Sequence, residues 1–257
     1  MKDFSNYIIC SDYDGTLDFG GVCEKNVHAI NYFVSHGGNF TLCTGRRGEG
    51  FYFGKKRDFK INAPIIGLTG AQIYDGGSEK VIEQYCLEDN WQELVEDIID
   101  GIEYEQTLEF VGFDKTVKIN TSDREECRKT LRLMKEEKLY KITGYSAYNS
   151  SPVDPKLVDI CSGRCNLTSN GYTTYEITGC GVDKGAGALK VKELVGAKKL
   201  ICVGDFVGDI SMLGVADVSY AVGNAIDEVK KIADRITVHA TEGAIASIVE
   251  DIIDGVI

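Results

Sequence analysis

The sequence predicts an α/β protein, a doubly wound parallel sheet with an α+β domain inserted into it. Three observations carry that prediction. Short, nearly unbroken apolar runs at Tyr7-Ile8-Ile9-Cys10, Phe40-Thr41-Leu42-Cys43 and Leu200-Ile201-Cys202-Val203 suit strands covered on both faces. Helical periodicity separates such runs at both ends of the chain, the rhythm of βα units. Between them, over residues 83–181, grouped helices and hairpin-like strands replace the alternation. The expected core is therefore residues 1–82 with 182–257, and the insert is 83–181.

The first strand breaks off into Asp12 and Asp14, two residues apart, followed by Gly15, which lets the backbone bend. Two neighbouring carboxylates repel, so positive charge is expected beside them. From Glu24 to Gly37, Val27, Ala29, Ile30, Phe33 and Val34 recur at helical spacing, and Gly37-Gly38 is a stop signal. The second strand, Asn39 to Thr44, ends in a hydroxyl and Gly45-Arg46. Gly45, Gly48 and Gly50 follow the order G-x-x-G-x-G, which is not the dinucleotide-binding fingerprint. Pro64 to Thr69 reads as another buried strand, and the stretch from Gly70 to Ser78 as a strand entering a tight turn, with a return near Lys80 to Tyr85.

In the insert, Trp91, Leu94, Val95, Ile98 and Ile99 mark an amphipathic helix. Thr107–Phe113 and Thr116–Asn120 look like a hairpin, 123–138 a charged helix, Tyr140–Tyr145 a strand, 152–162 a helix and Thr173–Thr178 a last strand. Asp183 then suits the N-cap of a helix over Lys184–Leu194. The strand ending at Asp205 follows, then the helix Asp209–Ala216, the strand Val218–Val222 and the helix Ala225–Ala233. Ala244, Ile245, Ile248, Val249, Ile252 and Ile253 form one face of a closing helix.

Ligands of open α/β sheets bind outside the carboxyl ends of the strands. One crevice holding Asp12, Asp14, Thr44, Lys184, Asp205 and Asp209 would combine many carboxylates with one hydroxyl and one ammonium. Phosphoryl transfer needs that set: hard oxygen donors suit Mg²⁺, and a metal with a lysine neutralises phosphate oxygens. A carboxylate such as Asp12 can attack phosphorus and form an aspartyl-phosphate.

These residues also carry a resemblance. The chain is similar to the haloacid dehalogenase superfamily phosphatases of the Cof type, with D-x-D-G-T at Asp12–Thr16, T-G-R at Thr44–Arg46, the motif lysine at Lys184 and G-D-x-x-x-D at Gly204–Asp209. The resemblance implies a Rossmann-like core with an inserted substrate-specificity cap of subclass IIB, and an Mg²⁺-dependent phosphatase acting on a small phosphorylated metabolite such as a sugar phosphate. It implies Asp12 as nucleophile and Asp14 as general acid and then base. Thr44, Gly45, Arg46 and Lys184 would bind phosphate or substrate, and Asp12, Asp14, Asp205 and Asp209 the metal. Gly208 stands where the family's fourth motif more often has asparagine. A phosphomutase using the same aspartyl-phosphate, or a phospho-acceptor switch, are the alternatives. Tyr175, Glu176 and Asn170, near the return to the core, are candidate contacts to the leaving group and equally suit sheet or loop positions of the insert.

Composition bounds the rest. The 257 residues are 43% hydrophobic and 26% charged, as in an ordinary globular protein. A net charge of −12 argues against nucleic acid or an anionic membrane as partner, since such binding runs on clustered Lys and Arg. No apolar stretch is long enough to span a bilayer, and the N-terminal run is short for a signal peptide, so a cytoplasmic location is expected. Nine cysteines read as small buried hydrophobes under reducing conditions. Cys161 and Cys165 lack two further ligands for zinc. The oligomeric state is unknown from sequence.

Overall fold

The structure is a computed structural model that describes residues 2–51, 58–146, 153–169 and 173–257. It divides into two compact units, Met1–Glu83 with Asp183–Ile257, and Gln84–Val182.

In chain order, the first unit opens with β1 (Tyr7–Ser11), α1 (Glu24–Ser35), β2 (Asn39–Leu42), β3 (Ile65–Gly67), β4 (Gln72–Asp75) and β5 (Lys80–Gln84). The second contains α2 (Trp91–Gly101), β6 (Gln106–Gly112), β7 (Thr116–Asn120), α3 (Arg124–Leu133), β8 (Leu139–Ser146), α4 (Pro155–Cys161), β9 (Asn166–Ser169) and β10 (Thr174–Thr178). The chain returns through α5 (Lys184–Val195), β11 (Lys199–Gly204), α6 (Ile210–Gly214), β12 (Val218–Ala221), α7 (Asp227–Ile232), β13 (Arg235–Ile236) and α8 (Ala244–Ile253).

The first unit is built on a five-stranded sheet of order β13-β12-β11-β1-β2, parallel throughout. Ile8, Ile9 and Cys10 in β1 and Leu200, Ile201, Cys202 and Val203 in β11 are fully buried, which is why their runs lack alternation. Burying each large apolar side chain contributes roughly 1.5–3 kcal/mol. From β1 the chain winds outward to β2, and from β11 the other way to β12 and β13, so the winding reverses between β1 and β11. β3 continues the parallel pattern through a single bridge, Cys43 to Ile66, but pairs antiparallel with β4 in a separate three-stranded sheet. The predicted strand end at Leu68-Thr69 is instead a tight 3-10 turn, Leu68–Gly70.

The second unit is an antiparallel sheet of order β7-β6-β8-β10-β9. Its strands alternate with period two. Leu108, Phe110, Ile142, Tyr175 and Ile177 lie on one face and share an apolar core with Trp91, Leu94, Val95 and Ile98 of α2, Leu131 of α3 and Leu157 of α4. Trp91 is thus an internal residue, its indole N–H donating to the Glu137 carbonyl at 3.0 Å. The other face carries a cross-strand row of Lys118, Glu109, Thr143, Glu176 and Thr168. The strand β9 is missing from the sequence expectation, because its four residues give too short a pattern to separate from the loop around it. Among the described residues, no helix is long and apolar enough to cross a membrane.

Candidate active site

The reversal point between β1 and β11 is where open α/β sheets bind ligands, because the chain leaves a crevice as its two halves wind apart. Parallel register sets Ser11 beside both Val203 and Leu42, and Asp12 N–H extends the ladder to the Val203 carbonyl at 3.0 Å. Asp12 therefore stands one residue past the end of β1, and Asp205 one past the end of β11. Their side chains join Asp209 in a group whose carboxylate oxygens lie within 4.8 Å of one another.

Lys184 reaches this group from the first turn of α5. Asp183 caps that helix, accepting from the Ala186 N–H at 2.8 Å. The helix comes close because its first residues are small: a Cβ on Gly187 would lie 2.5 Å from Ile66. Gly70, at φ +98°, closes the approach from the 3-10 turn, since a Cβ there would overlap the Asp183 carbonyl. So placed, the Lys184 ammonium donates to Asp12 Oδ1 at 2.6 Å and to Asp209 Oδ1 at 2.7 Å. Asp209 Oδ2 accepts from the N–H groups of Asp205 and Phe206 at 2.9 and 3.1 Å. Both Asp209 oxygens are thus engaged, one with Lys184 and one with the loop that carries Asp205.

Thr44 is buried, and its backbone is fixed on both sides, N–H to the Ile66 carbonyl at 2.8 Å and carbonyl from Thr69 N–H at 3.0 Å. Its hydroxyl accepts from Arg46 N–H at 3.2 Å across half-buried Gly45. Leu68 and Thr69, which wrap this loop, sit at φ +50° and +59°, where non-glycine residues are strained by roughly 1–3 kcal/mol each.

Asp14 stands apart from the carboxylate group. Arg46 grips it with both arms of its guanidinium, Nε donating to Oδ2 at 2.8 Å and Nη2 to Oδ1. The guanidinium also lies 5.4 Å from the Tyr13 ring centroid, a cation–π distance. Sequence reasoning assigned Arg46 to phosphate or substrate; here its partner is the neighbouring carboxylate. Thr16, the last residue of the first motif, is a further contributor that sequence reasoning left without a role: its hydroxyl donates to Asp205 Oδ1 at 2.8 Å.

The electrostatics are those of a crowded anionic site. Burial pushes the Asp12 carboxyl up to about 8, aided by Asp209 and Asp205 and opposed by Lys184. Burial raises Asp205 to about 6, with Asp209 adding to the shift and the Thr16 hydroxyl opposing it. At Lys184, burial works against the ammonium, but the charges of Asp12 and Asp209 outweigh it and the net shift is strongly upward. Three carboxylates against one ammonium leave two negative charges when all are ionised. The donor set and the charge deficit both fit a divalent cation with a preference for oxygen.

The candidate leaving-group contacts divide. Tyr175 faces the apolar core of its own unit, its hydroxyl donating to Gln106 Oε1 at 2.6 Å, so it is a core residue and not a free contact. Glu176 alternates to the opposite face and pairs there with Lys141, both 6% exposed. Asn170 lies outside the described residues.

The sequence model of the haloacid dehalogenase-like hydrolase family matches residues 9–249. Among curated proteins, the chain is 24% identical to the 5-amino-6-(5-phospho-D-ribitylamino)uracil phosphatase YitU of Bacillus subtilis (strain 168), over 95% of this chain and 97% of that one. It is 31% identical to the phosphoglycolate phosphatase of Methanococcoides burtonii, over 71% and 79%. Among solved structures, a phosphatase of the same enzyme superfamily from Bacteroides thetaiotaomicron superimposes with a TM-score of 0.80 at 16% identity, covering 97% of this chain and 95% of that one, a likeness of fold. With the family matched from the first strand to the last helix, the chain belongs to the haloacid dehalogenase-like hydrolases, in their Cof-type phosphatase subgroup.

Proposed function

We propose that this enzyme hydrolyses a small phosphorylated metabolite with Mg²⁺, through an aspartyl-phosphate on Asp12. The observation that supports it is the Lys184 ammonium bridging Asp12 and Asp209 beside Asp205, a buried cluster short of two positive charges.

In this reading Asp12 Oδ attacks phosphorus as the bond to the leaving oxygen breaks, and Asp14 supplies the proton that oxygen needs. Asp14, now a base, then takes a proton from the water that attacks the aspartyl-phosphate, which returns Asp12 and releases phosphate. Lys184 and the Thr44 hydroxyl hold the phosphoryl oxygens, with Gly45 lending its backbone. Bound Mg²⁺ supplies positive charge that offsets repulsion between Asp12 and the phosphate. Asp12, Asp205 and the Asp14 backbone carbonyl would hold it. Asp209, whose oxygens already serve Lys184 and two backbone N–H groups, is the orienting member of the set. An arriving phosphate competes with Asp14 for Arg46, so that transfer of the guanidinium frees the acid as it binds the substrate. The unit Gln84–Val182 selects the leaving group. The polyol phosphate in YitU's name and the small acid phosphate in that of the M. burtonii relative both suit a compact phosphomonoester.

The test is phosphate release from phosphorylated sugars, polyols, nucleotides, cofactors and small acids with Mg²⁺, using Asp12→Asn as blank. Release from a few related compounds, absent in the variant, establishes the activity and its substrate class. No release from any, with phosphate instead retained on Asp12 or moved between hydroxyls, overturns the hydrolase reading.

A further inference from the structure

We propose that Asn224 is a positioning residue for Asp14, fixing the backbone on which the acid/base carboxylate stands; this rests on the acid/base role given to Asp14 above. Asn224 lies in the turn after β12. Its Nδ2 donates to the Gly15 carbonyl at 2.8 Å, and its Oδ1 accepts from the Ala240 N–H at 2.9 Å. Both ends of the side chain are thus committed to the backbones of two distant segments.

The turn that presents Asn224 is itself pinned. Val222 N–H donates to the Gly204 carbonyl at 3.2 Å, Gly223 N–H to that of Val238 at 3.0 Å, and Ile226 N–H to that of Asp205 at 3.1 Å. No side chain fits at Gly223, where a Cβ would come within 2.8 Å of the His239 backbone. Asn224 therefore ties the loop of Asp14 to a turn already fastened to the loop of Asp205.

Gly15 needs such a tie. It sits at φ +90°, and a Cβ there would overlap the Asp205 carboxylate, so glycine is forced at the one position between Asp14 and Thr16. Glycine sets no backbone direction by its own sterics, and its peptide must be held by partners. Its N–H donates to the Asp18 carbonyl at 2.9 Å, and its carbonyl accepts from Asn224. The side-chain contact of Asp14 with Arg46 holds it weakly, since both side chains are more than half exposed. Losing the Asn224 amide frees the Gly15 carbonyl and leaves the direction of Asp14 to that exposed pair and the single Gly15–Asp18 hydrogen bond.

The experiment compares kcat/KM on phenyl phosphate and on p-nitrophenyl phosphate for wild type, Asn224→Ala, Asn224→Asp and Asp14→Asn, with saturating Mg²⁺. The two probes match in shape but differ in how much the leaving oxygen needs a proton, and kcat/KM covers the steps up to its departure. Asn224→Ala and Asn224→Asp should lower kcat/KM on phenyl phosphate about tenfold or more and on p-nitrophenyl phosphate less than about threefold, in the pattern of Asp14→Asn. Partial unfolding lowers both values alike and leaves their ratio unchanged, so the ratio separates positioning from loss of fold. Equal falls, or none, in the Asn224 variants beside a selective fall in Asp14→Asn overturn the role of Asn224 alone. A non-selective Asp14→Asn overturns the acid assignment and the positioning role with it.

Discussion

Among the described residues, two buried lysine–carboxylate groups differ in their charge. In the first unit Lys184 faces Asp12 and Asp209 with Asp205 close by, three carboxylates to one ammonium. In the second, Lys141 meets Glu176 across neighbouring strands, a buried ion pair of opposite charges. In that pair each charge has its counter-charge. An unmatched cluster is held together at a cost to stability, and the Asp12 and Asp205 carboxyls, raised first by burial and further by the neighbouring carboxylates, move up to about 8 and about 6. On the proposed function, the imbalance suits one cluster to a cation and a phosphate, while the other is part of the framework of its sheet.

The largest expected effect breaks the unmatched cluster where it does chemistry. Asp12→Asn keeps the side-chain shape and removes the proposed nucleophile, so phosphate release should fall to background. Folding stability should not fall with it: removing the buried Asp12 charge relieves the desolvation, and the smaller repulsion from Asp209 and Asp205, that raised its carboxyl. A urea melt showing Asp12→Asn equal to or above wild type in stability is the expected result. A large destabilisation would mean that the carboxylate is a structural partner of Lys184 before it is a reagent.

Magnesium and pH sharpen the same point. The Asp12 and Asp205 carboxyls are raised in the folded state, so between about pH 4, where an unfolded aspartate ionises, and about pH 8 the folded protein holds protons that the unfolded chain has released. With the metal chelated, these two groups therefore contribute stability at the acid end of that window, lost as pH rises through about 6 and then about 8. If Mg²⁺ binds the ionised cluster as proposed, it should raise the melting temperature more near the top of the window than near the bottom. Calorimetric melts across the range, with and without Mg²⁺, check this, and a shift independent of pH would take the metal away from this cluster. Chelation should also remove phosphatase activity.

The two clusters were unequally legible in the sequence. Lys184 and Asp209, at helix starts, stood out only through their place in the ordered motif set, whereas Asp12 and Asp205 declared themselves as carboxylates just past buried apolar runs. The same signal reaches Asn224, which follows the buried Val222 at the end of β12. What hid it was its partner: a hydrogen bond to the backbone of Gly15 leaves no pattern in either segment. The Arg46–Asp14 grip and the Thr16 hydroxyl on Asp205 were hidden likewise, since spacing along the chain does not say which way a side chain turns. Lys141 and Glu176 lie in strands whose positions were legible, but their partnership depends on the register between β8 and β10, which no local rule specifies. Tyr175 and Glu176 show the period-two alternation directly: adjacent in β10, one faces the apolar core and the other the opposite face.

Breaking the matched pair should give the opposite sign in stability from Asp12→Asn. Lys141→Met or Glu176→Gln leaves one buried charge without its partner, at a cost of roughly 3–5 kcal/mol in chemical denaturation. Replacing both, as Lys141→Met with Glu176→Leu, should recover most of that loss, because the desolvation of both charges disappears together. A double variant no better than either single one would show that these residues serve something other than each other, and a change of substrate preference in it would place them in recognition of the leaving group.

The smallest stability effect belongs to Arg46. Its pair with Asp14 is bidentate but more than half exposed on both sides, so Arg46→Ala should change folding stability by no more than about 1 kcal/mol. That weakness is what an exchangeable partner requires: a guanidinium that leaves Asp14 for an incoming phosphate must not be held firmly where it starts. Arg46→Lys separates this exchange from simple charge, because an ammonium keeps the positive charge but lacks the planar fork that spans both carboxylate oxygens. If exchange operates, Arg46→Lys should hold KM close to wild type while kcat falls, and Arg46→Ala should raise KM as well. If both variants leave KM and kcat unchanged, the guanidinium has no part in turnover, and its contact with Asp14 is one more exposed ion pair beside a cluster whose buried charges do the chemistry.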